Sequence, residues 1–287
     1  ELNPLAVLLA KVKITAIKPE LLQKTFLSLL SDIKNYKSKK EELPKFFNID
    51  FWFKENVVYE LAKLKKCLND IKNKDIRDFF LVAFSETVRY ASNTRNGEFK
   101  LFRMPQEKLN NYNQDVLSIF KKRIEKNIAG MTEFYNDVDN KTWAKVILGD
   151  STKKYDINDE IIDCIVTSPP YGDSRTTVAY GQFSRLSLQW LDIVGDNELQ
   201  IDKQLIGGIV DPKIENNLNS KTLTKPLHLI AESDSKRAKE VLAFYIDLNK
   251  TMIQAYRILK KYKYFCVVIG NRTVKKVKLP TDYIVSE

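Results

Sequence analysis

The sequence predicts an α/β fold with a parallel sheet, interrupted by a mostly helical insertion. Three observations carry that reading. Residues 161–166 form a short, β-branched apolar run that stops at Thr167-Ser168-Pro169-Pro170-Tyr171, as a buried parallel strand does at the carboxyl edge of a sheet. Two further apolar runs, 144–148 and 264–269, also end in polar turn formers, Gly149-Asp150 and Gly270-Asn271-Arg272. Between residues 18 and 143 the pattern changes to a helical period with many charges, as in 57–64 and 76–84.

Along the chain, Asn3 can cap a helix whose first position is Pro4, and the nearly all-round apolar residues 5–12 imply packing on a sheet. Glu1 then stands at the end of a preceding strand. In the helical insertion the aromatics of 46–53 read as core. Residues 92–103 differ, because loop formers alternate there with the cations Arg95, Lys100 and Arg103, which are candidate phosphate or base contacts. Lys121-Lys122-Arg123 reads as a solvated helix face. After Tyr171, a polar loop with Arg175 and Tyr180 leads to a Leu-rich helix near Trp190, and can close over a ligand or insert into a duplex. Residues 192–234 have little periodicity and read as a mobile loop facing a ligand or as a surface insertion. A long amphipathic helix is expected over 239–261, followed by a strand from Tyr264.

Composition narrows the class. A chain of 287 residues with 44% hydrophobic content can bury a substantial core. A net charge of +10 with pI near 9.2 suits a polyanionic partner, although it is weak evidence alone. Cys67, Cys164 and Cys266 lie far apart and read as free core thiols of a reducing cytoplasm. One histidine, His228, and no Cys-x-x-Cys pair argue against a zinc site, so no metal is expected. No apolar run is long enough to span a bilayer.

The stretch after residue 167 has a specific chemical use. Ser168 and the Pro169 carbonyl can both accept from an exocyclic amine, and the Tyr171 ring can stack on a base. Pro169 and Pro170 fix φ and remove two backbone donors, leaving a stiff, acceptor-rich turn.

With those residues the chain resembles the amino-methylating DNA methyltransferases, which modify cytosine N4 or adenine N6 with S-adenosylmethionine and share a Ser/Asp/Asn-Pro-Pro-aromatic signature. The resemblance implies a Rossmann-like methyltransferase sheet. It gives Ser168, Pro169, Pro170 and Tyr171 the task of gripping the amine of an extruded base, with Thr167 leading in. The Ser form favours cytosine N4; adenine N6 stays open, as do related enzymes acting on protein glutamine or RNA. Glu1 and Asn3-Pro4-Leu5-Ala6 resemble the family's segment after its second strand, where the acid binds ribose hydroxyls, and Asp150, one strand before the signature, matches a carboxylate on the adenine amine. Asn271 and Arg272 fall where a late strand lines the base pocket.

The expected organisation is therefore 1–17 as the start of the catalytic domain, 18–143 as the helical insertion with DNA contacts, and 144–287 as the rest of the catalytic domain. The family's Gly-rich cofactor loop belongs upstream of Glu1, and no Gly-x-Gly occurs among the nine glycines. A second polypeptide or an N-terminal segment is then expected to supply it. The remaining expectations are double-stranded DNA as partner, a cognate restriction endonuclease, no membrane, and a prokaryotic cytoplasm. No cysteine follows a proline, which disfavours covalent methylation at cytosine C5. The rival from another class is a DNA-binding subunit with this fold but no catalysis.

Overall fold

The computed structural model describes residues 1–36, 43–98, 100–139, 141–172, 180–193 and 200–287. The chain forms two compact units. One, here the helical unit, comprises Asn3–Leu148 and Gln182–Glu198; the other, the α/β unit, comprises Glu1–Leu2, Gly149–Gly181 and Leu199–Glu287.

In the helical unit the elements are α1 (Pro4–Ile14), α2 (Pro19–Asn35), α3 (Ile49–Trp52), α4 (Glu55–Asn69), α5 (Lys74–Ala91), α6 (Gln106–Asn110) and α7 (Val116–Asp137), with most of α8 (Tyr180–Leu191). Their starts are written in side chains. The Leu5 N–H donates to Asn3 Oδ1 at 3.0 Å, Ile76 N–H to Asn73 Oδ1 at 3.1 Å, and Ser118 N–H to Asp115 Oδ1 at 2.9 Å. Each bond satisfies a donor that the first turn leaves unpaired. On α5, Ile76, Phe79, Phe80, Ala83, Phe84, Thr87 and Val88 are buried at spacings of three and four, so one stripe faces the core. Phe84 and Phe53 meet the Trp190 ring edge-on at 6.2 and 5.6 Å, and Ser187 Oγ donates to the Ser85 carbonyl at 2.7 Å. Of the 46–53 aromatics only some are core, since Phe53 is buried while Phe47 and Phe51 are exposed. Arg123 also departs from the solvated face expected of it. Its guanidinium lies 4.2 Å from the centre of the Tyr90 ring and pairs with Glu86 at 3.2 Å.

The α/β unit contains β1 (Ile162–Thr167), α9 (Ile201–Gln204), α10 (Lys221–Ser233), α11 (Ser235–Ile258), β2 (Leu259–Val267), β3 (Arg272–Val274), β4 (Val277–Leu279) and α12 (Thr281–Ser286). Strands β1 and β2 run parallel, Thr167 opposite Val267, with α11 leading directly into β2. The expected long helix thus ends three residues early, and the strand begins at Leu259 rather than Tyr264. Strands β3 and β4 form an antiparallel hairpin whose turn residues Lys275 and Lys276 both have positive φ, the twist a two-residue hairpin turn requires. The core of this unit gathers Leu223, Leu227 and Ile230 of α10, Val241, Phe244 and Leu248 of α11, Val274, Leu279 and Ile284. Residues 221–233 are therefore a core helix, not part of a mobile loop, despite Pro226 within it.

The unit is mixed helix and sheet, as expected, but the sheet is smaller. Among the described residues β1 and β2 pair only with each other, and residues 144–148 form no ladder. Strands need a partner at 4.7–4.9 Å for their backbone groups, and at the end of this stretch Gly149 N–H donates to the Glu1 carbonyl at 3.0 Å. As a result the strand faces are not buried. Val166 is 73% and Tyr264 76% exposed, and Cys164 and Cys266 are exposed rather than core thiols; Cys67 alone is buried. Charges of opposite sign line the same strands, with Lys260 and Lys263 at 3.0 and 3.4 Å from Asp163. Among the described residues no helix is long and apolar enough to cross a membrane.

Candidate active site

The end of β1 builds the site. The last ladder bond runs from Val268 N–H to the Thr167 carbonyl at 2.9 Å, after which Pro169 and Pro170 offer no N–H to continue it. The chain leaves the sheet with Pro169 and Gly172 buried, Pro170 half-buried, and Ser168 and Tyr171 exposed. The polar hydroxyl and the aromatic ring are thereby presented while the prolines anchor the turn.

Two later residues pack on that turn. The Tyr171 ring lies against Gly270, where a Cβ would sit 3.4 to 3.7 Å from three ring carbons. Arg272 crosses Gly172 so closely that a Cβ there would fall 1.6 Å from Nη1 and 2.4 Å from Cζ. Between them Asn271 faces elsewhere, its Oδ1 accepting from Asp282 N–H at 3.1 Å in the first turn of α12. The segment entering β3 thus packs on the turn through 270 and 272, whereas 271 secures the C-terminal helix.

A second group forms around Asp150. The Gly149–Glu1 backbone bond brings the two acidic residues Glu1 and Asp150 to one place. Asp150 Oδ1 accepts from Thr152 N–H at 2.9 Å and Thr152 Oγ1 at 2.7 Å, with Lys153 Nζ 3.6 Å from Oδ2. Burial pushes this carboxyl up, but the Thr152 bonds and Lys153 outweigh it and hold it below the usual carboxylate range. The segment behind it is pinned to α11, since Ser151 Oγ lies 3.2 Å from Thr251 Oγ1 and Arg257 donates to the Ile157 and Tyr155 carbonyls. The unit thus brings together Glu1 with Asp150, and Thr167–Tyr171 with Arg272. Tyr180, half exposed at the start of α8, also belongs to it. Arg175 lies outside the described residues.

Asn3, Arg95, Lys100 and Arg103 belong to the helical unit. Asn3 is 7% exposed, and its amide both caps α1 and donates to Ser184 Oγ at 3.0 Å. Residues 93–95 and 102–104 pair with each other as the arms of a small hairpin, with Arg95 N–H to the Phe102 carbonyl at 2.8 Å and Met104 N–H to the Asn93 carbonyl at 2.9 Å. Arg103 is tied down, donating from Nε to the Phe51 carbonyl at 3.0 Å, whereas Arg95 is exposed. Sequence reasoning missed Arg89, which anchors this hairpin. It is 7% exposed, donates to the Glu98 carbonyl at 2.6 Å and lies 3.9 Å from the centre of the Phe183 ring. An arginine on the apolar stripe of α5 was the available signal. Gly172 and Gly270 were missed as well, because nothing local distinguishes a glycine kept for a distant neighbour. An apolar groove of 720 Å³ within this unit, flanked by Leu9, Phe79, Val82 and Phe134, has none of the candidate residues in its walls.

No protein-family profile matches the chain, and no solved structure does either. Over its whole length the chain is 44% identical to the Type II methyltransferase M.MvaI of Kocuria varians, in an alignment of 309 positions that covers 68% of that protein. With that identity, and a Ser-Pro-Pro-Tyr turn exposed at the end of a parallel strand, the chain belongs to the Type II DNA methyltransferases.

Proposed function

We propose that this methyltransferase acts on the exocyclic N4 of cytosine in duplex DNA, within a restriction-modification system. The observation that carries the reading is the turn itself, with Ser168 and Tyr171 exposed on a proline-stiffened support at a strand's carboxyl edge. A target atom inside a duplex is out of reach, so the base must be extruded. The Ser168 hydroxyl and the Pro169 carbonyl then accept the amine hydrogens and leave its lone pair facing outward. Tyr171, anchored on Gly270 and 45% exposed, offers the surface for stacking. Net charge +10 suits the phosphate backbone, and Arg95, Lys100, Arg175 and Tyr180 are the proposed DNA contacts.

S-adenosylmethionine supplies, when bound, a methyl carbon activated by a sulfonium. The segments joined by the Gly149–Glu1 backbone bond fit such a nucleoside, because each carries a carboxyl side chain, Glu1 on one and Asp150 on the other, and Asp150 is held ionised. Glu1 suits ribose hydroxyls and Asp150 the adenine amine; Thr167 lies at the strand end, and Asn3 fixes the start of α1 directly after Glu1. The protein's share of the chemistry is orientation of the amine and exclusion of alternatives, with no covalent enzyme intermediate.

Labelled methyl transfer to mixed-sequence duplex DNA, with mass analysis of the product nucleosides, tests this. N4-methylcytosine that disappears in Ser168→Ala and Tyr171→Ala is the expected result. N6-methyladenine would move the assignment to adenine, and DNA binding without transfer would leave a non-catalytic subunit.

A further inference from the structure

We infer that Arg272 is a positioning residue that clamps the Ser-Pro-Pro-Tyr turn, and that Gly172 is the socket into which its guanidinium fits. The inference rests on the amine-methylation reading for its purpose, but its geometry stands on its own.

The guanidinium occupies the space a side chain at 172 would fill, with Nη1, Cζ and Nε at 1.6, 2.4 and 3.1 Å from a Cβ placed there. Real Cβ contacts essentially never approach so closely, so any side chain at 172 would oblige the Arg272 guanidinium to leave this place. Gly172 is buried and so is Arg272 Nη1, which is not how a cation held out for a DNA phosphate would sit. Its charge acts inward instead. Burial raises the Tyr245 phenol, and Arg272 pulls it in the opposite sense.

The clamp is held at its base. Arg272 pairs with Leu279 across the β3–β4 hairpin, and Leu279 and Val274 are packed in the core with α10 and α11. Two residues earlier, Gly270 touches the Tyr171 ring. The short segment 270–272, which leads into β3, therefore touches both residues that follow the prolines. A planar, rigid head group suits this task better than a flexible ammonium. Displacing such a support shifts the amine-binding groups, and a misplacement of about 1 Å can cost about 10²-fold in rate.

Four variants test it in the full chain: Arg272→Ala, Arg272→Lys, Gly172→Ala and the Arg272→Ala/Gly172→Ala double. Two readouts are used. Hydrogen exchange of the Tyr171 and Gly172 amides reports the turn without requiring activity, with the β3–β4 hairpin as the internal control for folding. Methyl-transfer kcat and DNA affinity against salt report the consequence. Both alanine variants should speed exchange at the turn about tenfold or more while the hairpin stays protected. Each should lower kcat about 10- to 100-fold with little change in KM for DNA. The double should be no worse than either single, because both remove one contact, and Arg272→Lys should rescue only in part. An Arg272→Ala variant that keeps normal exchange and kcat but loses about one unit of the salt slope of DNA binding would make Arg272 a phosphate contact and overturn the clamp. Normal exchange in Gly172→Ala would overturn it too. Absence of cytosine methylation by the unaltered protein would instead defeat the functional reading, with the exchange result still deciding the clamp.

Discussion

The helical unit and the α/β unit solve the same burial problem with different success. In the first, Phe80, Phe84, Phe120, Leu61, Leu68 and Ile124 are completely buried. In the second, the helices and the small hairpin share a core, yet Tyr262 is 101%, Tyr264 76% and Val166 73% exposed on the parallel strands. The difference follows from where backbone hydrogen bonds are found. A helix satisfies its own N–H and C=O groups within four residues, so amphipathic helices need only meet face to face. A parallel strand depends on distant neighbours on both edges and cover on both faces. Burial in this protein is thus concentrated in the helices, and the proposed chemistry at the end of a strand that contributes little to it.

That contrast can be broken by mutation. Phe84→Ala should destabilise the helical unit by about 3–5 kcal/mol in denaturant titration, whereas Val166→Ala should stay within about 0.5 kcal/mol. A large effect at Val166 would mean that β1 is covered in solution. Next in size, Ser168→Ala should lower kcat about 10²-fold with an unchanged unfolding midpoint. A loss of stability comparable to the loss of rate would dissolve the separation between the two regions. Arg123→Ala removes a ring contact and an ion pair from the helical unit, and about 1 kcal/mol of stability should go with it. The smallest effect is expected from Asp150. Its carboxyl titrates below the unfolded value of about 3.9, so it stabilises the folded chain above that pH and stops doing so as the pH falls through the folded value. The stability gap between the native protein and Asp150→Asn should be flat from neutral pH down to about 5 and then close in stronger acid. A gap that widened in acid would reverse the sign of the shift.

These regions were also unequally legible in the sequence. Helices α4 and α5 are visible in the helical period of their apolar residues, and Asn73 and Asp115 stand just where their side chains accept at the starts of α5 and α7. Helix α10 was hidden, since Pro226 interrupts the apolar positions 223, 227 and 230 and polar loops flank it. Strand β1 is marked by its β-branched run, but its exposure could not be foreseen, because burial of a strand is decided by partners far along the chain. The same holds within the site. Ser168 to Tyr171 are contiguous and carry their chemistry in their residue types. The meeting of Gly172 with Arg272 joins positions a hundred residues apart, and no local pattern announces it.

The lysines of β2 have a colloidal consequence. Lys260, Lys261 and Lys263 alternate with the exposed tyrosines on a strand that, among the described residues, pairs only with β1. Asp163 and Glu160 offset part of this charge, but three lysines against two carboxylates leave a positive surplus that an approaching copy would meet, which opposes strand-to-strand association. Such repulsion reaches about 10 Å at 0.1 M salt but only about 3 Å at 1 M. Concentrated salt therefore removes the guard while strengthening the attraction between tyrosines, so ionic strength sets the ceiling on how far this protein can be concentrated before β2 begins to find itself.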